Sequence, residues 1–215
     1  MSSHSIANRL ESARLALTNA LAESELRSAL APFGYDETRL QQGQSLYENA
    51  LAVWQSQQQG QSHRRAAAAA YKRADVTARR AYMRGVRLCR TLYRDDPVTY
   101  RALGLAGVRK KGFAAKVAQM RLFYTTALGN PEILTTLAGF GFSESQLQAD
   151  LALVAALESA RSQREVESGA VQDATQSKAQ AISALERWMR EFFTIARLAL
   201  EENPQRLEML GLAVG

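Results

Sequence analysis

The stretch Leu30-Ala31-Pro32-Phe33-Gly34-Tyr35-Asp36-Glu37 returns as Leu137-Ala138-Gly139-Phe140-Gly141-Phe142-Ser143-Glu144, 137 − 30 = 107 positions later in a chain of 215 residues. Glycine suits the left-handed residue that closes a helix, and the aromatic after it can fold back onto the last turn. Asp36 or Ser143 is then the type of residue that caps a following helix. Each copy therefore predicts a helix stop, an apolar clasp and a helix start. In the second copy, Ser143-Glu144-Ser145-Gln146 reads as a capping box.

A second landmark keeps the same offset. Asp96-Pro97 leads to Leu103-Gly104-Leu105, and Asn203-Pro204 leads to Leu210-Gly211-Leu212. Matches at Arg14/Arg121, Leu15/Leu122, Thr18/Thr125, Ala20/Ala127 and Leu21/Leu128 carry the repeat to the start of each half. The reading is an internal duplication, with one helical-bundle unit over 1–107 and a second over 108–215.

Periodicity supplies the elements. Ile6, Leu10, Ala13, Leu17 and Leu21 fall at spacings of three and four, one face of a helix over about 5–22. A short helix follows over about 24–30, and its echo opens at Asn130-Pro131, a cap candidate with Pro at the first helical position. Leu40, Leu46, Tyr47, Ala50, Leu51 and Trp54 predict a helix to about Ser56, and the polar run Gln55–Ser62 predicts a turn. The longest helix is expected over 62–94, roughly 50 Å at about 1.5 Å per residue. Ala67, Ala70, Ala74, Ala78, Ala81, Leu88 and Leu92 line its apolar side. Asp96 and Asn203 are read as caps of a last short helix. No segment alternates with the period of a strand. The expected fold is all-α, a tandem duplication of an antiparallel helical bundle with three long helices plus short ones per unit, set side by side or about a pseudo-two-fold axis.

Composition narrows the function classes. An apolar share of 47% against a charged share of 22% is that of a globular protein rather than a disordered one. No apolar run is long enough for a membrane span, the polar start Met1-Ser2-Ser3-His4-Ser5 lacks a signal peptide's apolar core, and Cys89 is the only cysteine. A cytoplasmic protein without membrane insertion is expected. Residues 1–107 hold 15 Lys and Arg against 9 Asp and Glu, whereas residues 108–215 hold 12 of each, so the net charge of +6 belongs to the first half.

That excess concentrates on the long helix, where 62–94 carries ten positive residues and one acid, Asp75. Arg65, Lys72, Arg73, Arg79, Arg80, Arg84 and Arg87 fall opposite the alanines and form a candidate polyanion-binding stripe, for nucleic acid or an anionic surface. Arginine's planar fork suits phosphate. The competing reading leaves the stripe simply solvated, or pairs it with acids on neighbouring helices or of the second half, where Asp173, Glu186, Glu191, Glu201 and Glu202 are available. Arg80/Arg187 and Arg90/Arg197 survive in both copies and suit cap or carboxylate contacts. Arg109-Lys110-Lys111 reads as a solvated linker between units.

No metal or cofactor is expected, because His63 has Gly60 and Ala66 at three-residue spacing, His4 sits at the terminus, and one cysteine cannot build a zinc site. Cys89 reads as a small buried packing residue. The glycines stand at helix ends rather than in a phosphate-cradling loop, and Asp95-Asp96 and Glu201-Glu202 are explained by the prolines after them. Trp54 and Trp188 do not correspond under the offset and read as half-buried anchors. The expectation is a non-enzymatic binding or scaffolding protein that engages a protein partner or itself, with polyanion binding through 62–94 as the alternative.

Overall fold

The computed structural model describes residues 3–108 and 111–213, with side chains from Ile6 onward; Arg109 and Lys110 of the expected linker, and the His4 side chain, lie outside them. Among the described residues every regular element is helical. Seven α-helices follow in order: α1 (Ser3–Ala22), α2 (Ser24–Leu30), α3 (Glu37–Leu92), α4 (Pro97–Ala102), α5 (Phe113–Gly129), α6 (Pro131–Ala138) and α7 (Glu144–Ala199). Two 3-10 segments, Ala31–Phe33 and Pro204–Leu210, complete the set.

The expected turn at Gln55–Ser62 is a correction. α3 runs unbroken through it for 56 residues, and α7 has the same length. Glutamine is a good helix former and no proline interrupts the run, so polarity alone does not end the helix. Gln57 is buried, and Gly60 lies against Val171. The bounds of α3 and α7 differ by 144 − 37 = 107 and 199 − 92 = 107 residues.

The same offset recurs in the helix stops. Tyr35 N–H donates to the Leu30 carbonyl and Gly34 N–H to that of Ala31; Phe142 donates to Leu137 and Gly141 to Ala138. Leu105 to Tyr100 with Gly104 to Arg101, and Leu212 to Leu207 with Gly211 to Glu208, repeat the pattern. These paired bonds are Schellman closures, which need a left-handed residue, and Gly34, Gly104, Gly141 and Gly211 have φ of 82°, 63°, 80° and 72°. The aromatic clasp takes hold at both helix stops, since Tyr35 and Phe142 are buried.

Caps follow the expectation in part. Asp36 Oδ1 accepts from Arg39 N–H at 2.9 Å, and Asp96 Oδ1 accepts from Val98 and Thr99. Asn130 Oδ1 accepts from Glu132 and Ile133. Asn203 departs from it: its side chain caps nothing, and its backbone carbonyl instead accepts from Arg206 N–H, the tighter closure of a 3-10 helix. Only half of the Ser143 box forms, with Gln146 N–H on Ser143 Oγ, because the Gln146 side chain turns to Asp150.

Contacts divide the chain along lines other than 1–107 and 108–215. One compact unit comprises residues 1–62 and 170–215, the other residues 63–169. α3 passes from the first to the second after Ser62, and α7 returns after Gly169. Unit 1 buries Ile6, Leu10, Leu17, Leu26, Leu30, Tyr35 and Leu40 with Leu185, Phe192, Leu200 and Leu210 of the C-terminal part. Unit 2 buries Ala78, Tyr82, Val86 and Cys89 of α3 with Phe123, Tyr124, Ile133, Leu137, Phe142, Leu147 and Leu157.

Both cores rely on a glycine under a ring. In unit 1, Trp188 stacks on Phe192 at 5.2 Å between centroids and meets Tyr35 edge-on at 5.5 Å, lying over Gly43. In unit 2, Phe123 meets Tyr82 edge-on at 5.5 Å and lies over Gly85. A Cβ on Gly43 would run into Cη2, Cζ2 and Cζ3 of Trp188, the last two at 2.6 Å and 2.7 Å. Replacing a mid-helix glycine by alanine gains about 1 kcal/mol of propensity, whereas overpacking costs about 1–3 kcal/mol. Three atoms of a rigid indole cannot all retreat, so the clash wins. Gly43→Ala is expected to lower the unfolding free energy by about 1 kcal/mol, with an unchanged denaturant slope in a urea titration.

Burial also sets an alkaline limit. Cys89 is fully enclosed, and desolvation pushes its thiol up to about 12. An unfolded thiol ionises near pH 8.5, so above that pH the unfolded chain binds fewer protons than the folded one and stability falls as pH rises. Tyr35, Tyr93 and Tyr124 are shifted the same way, chiefly by burial, and add to the loss from about pH 10 upward. Urea titrations under reducing conditions are expected to show a decline of up to about 1.4 kcal/mol per pH unit near pH 9–10, and Cys89→Ala should flatten that part of the curve.

Candidate functional site

The candidate site lies on the unit 2 part of α3. At about 100° per residue, Arg65, Lys72, Arg73, Arg79, Arg80, Arg84 and Arg87 fall within an arc of roughly 140°. The opposite side carries Ala78, Ala81, Tyr82, Gly85 and Cys89, all buried. Packing of that apolar side orients the charged one, and all seven cationic side chains are exposed.

The acids expected to cover them are engaged elsewhere or stand free. Glu186 pairs with Arg9, and Glu191 with Arg39. Asp173, Glu201 and Glu202 are exposed and form no ion pair among the described residues. Asp75, the only acid of the stretch, is taken by Lys116 from α5. Among the described residues Arg84 is the one stripe member with an ion pair, leaving Arg65, Lys72, Arg73, Arg79, Arg80 and Arg87 without an acidic partner.

The array continues past Arg87. Arg90 and Arg94 fall within the same arc and, with Arg101 and Tyr100, border a recess of about 490 Å³. Arg90 donates to the Leu105 carbonyl at 3.3 Å, not to a carboxylate. Arg197, its counterpart, donates to Phe193 of its own helix. Arg101 escaped the sequence reading because only its helix start, Asp96-Pro97, attracted notice. Hydrogen bonds from Thr99 and Val98 hold the Asp96 carboxyl below its usual range, so that acid serves its cap.

Arg84 leads inward. Its guanidinium lies 5.1 Å from the centroid of the Phe142 ring and 3.7 Å from Asp150 Oδ2. Asp150 is only 3% exposed, its Oδ1 accepts from Gln146 Nε2 at 2.8 Å, and its Oδ2 accepts no hydrogen bond. Thr77, Arg80, Ala81, Arg84, Asp150 and Leu153 line a recess of about 390 Å³. The Tyr124 hydroxyl is buried without a hydrogen-bond partner, and burial first, then the Asp150 charge, raises its pKa. Asp150 was invisible to the repeat comparison because its counterpart, 150 − 107 = 43, is Gly43.

The arrangement can hold anions along the outer face. It does not assemble a nucleophile with a base: Cys89 is enclosed and protonated at neutral pH, and His63 is exposed at the start of the stretch. Among the described residues no cluster of His, Cys, Asp and Glu could hold a metal ion, and no helix is long and apolar enough to cross a membrane. Compared with known proteins, the chain matches no family model, no curated protein and no solved structure.

The Arg84–Asp150 contact makes a direct test. Arg84 is 59% exposed, which weakens the Coulombic gain, yet its removal leaves a buried carboxylate oxygen with no counter-charge. Arg84→Met, which keeps the stem over Phe142, is expected to cost about 1–2 kcal/mol in the native background and less than about 0.5 kcal/mol beside Asp150→Asn. Equilibrium unfolding of the four proteins in the cycle measures the difference.

Proposed function

We propose that the chain is a non-enzymatic binding protein, built from a duplicated helical unit, that engages a polyanion through the arginine face of α3. The observation that carries this reading is the exposure of six cationic side chains on one arc without an acidic partner among the described residues. From Arg65 to Arg87 they extend about 33 Å along the helix, at about 1.5 Å per residue. A one-sided row of that length matches a line of phosphates on nucleic acid or an anionic surface, and its affinity comes from counterion release.

A second reading, docking to a protein partner or another copy, is favoured by the helix-stop turns. Phe33 and Phe140, 107 residues apart, are 47% and 57% exposed, beside aromatics that are buried. Two large apolar rings left in solvent at matching positions suit a protein surface.

Salt separates the two. With six or seven phosphate contacts, log K for duplex DNA should fall with log salt at a slope of about −6, and for phosphate-bearing vesicles it should also drop steeply. Reversing Arg79, Arg80 and Arg87 to Glu is expected to abolish binding while leaving the helical circular dichroism intact. Binding that ignores salt and survives the triple reversal would overturn the polyanion reading and leave the protein partner.

A further inference from the structure

A recess of about 330 Å³ opens in unit 1 between α1 and the last part of α7, well away in sequence from the arginine face. Leu10, Ile182, Leu185 and Met189 form its floor, each 3–6% exposed, with half-buried Phe193 beside them. Polar groups stand only at the rim: Ser12, Arg9 with its partner Glu186, and Arg190. Arg190 is exposed and has no acidic partner among the described residues. The rim charges are Arg9, Glu186 and Arg190, a net of one positive charge over an apolar floor.

The counterpart in unit 2 is chemically different. Ile182 corresponds to Asp75, which pairs with Lys116, the counterpart of Arg9. Met189 corresponds to Tyr82, whose ring packs on Phe123 and Tyr124. Arg190 corresponds to Met83. An ion pair and an aromatic cluster thus occupy in one unit the positions that in the other line an apolar hollow with a free guanidinium above it. In unit 1 the exchange is not refilled: Leu10, Ile182, Leu185 and Met189 still border an open hollow of about 330 Å³.

We propose that this recess binds a small amphipathic anion, an aliphatic carboxylate whose chain lies on Leu10, Leu185 and Met189 and whose head meets Arg190. The size is at the lower end of small-molecule pockets, and the pattern of an apolar lining with few convergent polar groups is theirs. Carboxylate and guanidinium match as a charge-assisted, two-pronged pair. The site is independent of the α3 stripe.

The test is calorimetric titration of the full chain with decanoate below its micellar concentration, with decylamine as the charge control. Saturable 1:1 binding of decanoate is expected, at least tenfold tighter than of decylamine. Arg190→Glu should weaken decanoate tenfold or more, and Ser12→Trp, a change at an exposed rim position that narrows the mouth, should weaken both probes. Arg79, Arg80 and Arg87 reversed to Glu should leave decanoate binding unchanged. Absence of saturable binding, equal affinity for the two probes, or indifference to Arg190→Glu would each overturn the proposal.

Discussion

Each of the two cores is completed by residues from both halves of the sequence. α3 gives its first part to one core and its last part to the other, and α7 does the same in the opposite order. The aromatic that follows each helix stop shows this most directly. Tyr35 settles on Trp188 and Phe192 of the second half of the sequence, and Phe142 lies beside Arg84 and Gly85 of the first. Burial of these two rings ties the two halves of the sequence together within each core. The caps and Schellman closures determine only where each ring is presented.

Within that shared pattern the units differ in where size and charge are placed. Phe192 of unit 1 corresponds to Gly85 of unit 2, while Ala16 corresponds to Phe123; the bulk moves from one helix to another while the interior stays filled. A guanidinium covers the clasp aromatic in both units. It comes from Arg39 in unit 1, paired with Glu191, and from Arg84 in unit 2, paired with Asp150. Arg84 stands at the position of Glu191, whereas Arg39 and Asp150 have the uncharged counterparts Gln146 and Gly43, so each unit builds its pair from different positions. Dense packing accepts a compensated pair of changes where it rejects either one alone.

Much of this was legible in local sequence signals. Gly34 and Gly141 announced left-handed helix ends, Asp96 and Asn130 announced caps, and the three-and-four spacing of Ile6, Leu10, Ala13 and Leu17 named a buried face, because each depends on neighbours within one or two turns. The exposed stripe was legible for the same reason, as the side of a helix opposite its alanines. Gln55–Ser62 misled because composition was read as a breaker where neither proline nor a closing glycine was present. The partition into units could not be read, since it depends on which distant segment covers each face. Asp150 and the unit 1 recess escaped for a related reason: they arise where the two halves differ, and a comparison seeking likeness passes over them.

The partition also has a temporal side. Residues 63–169 are contiguous, so every segment of the unit 2 core has left the ribosome once Gly169 is out. Unit 1 must wait for a further 215 − 169 = 46 residues, roughly 2–9 s at about 5–20 residues per second. Until then the apolar sides of α1 and α2, made before unit 2, have no partner from the last part of α7. The segment holding α1 and α2 is thus covered later than the unit 2 segment that follows it, and during synthesis it depends the more on being shielded from other chains.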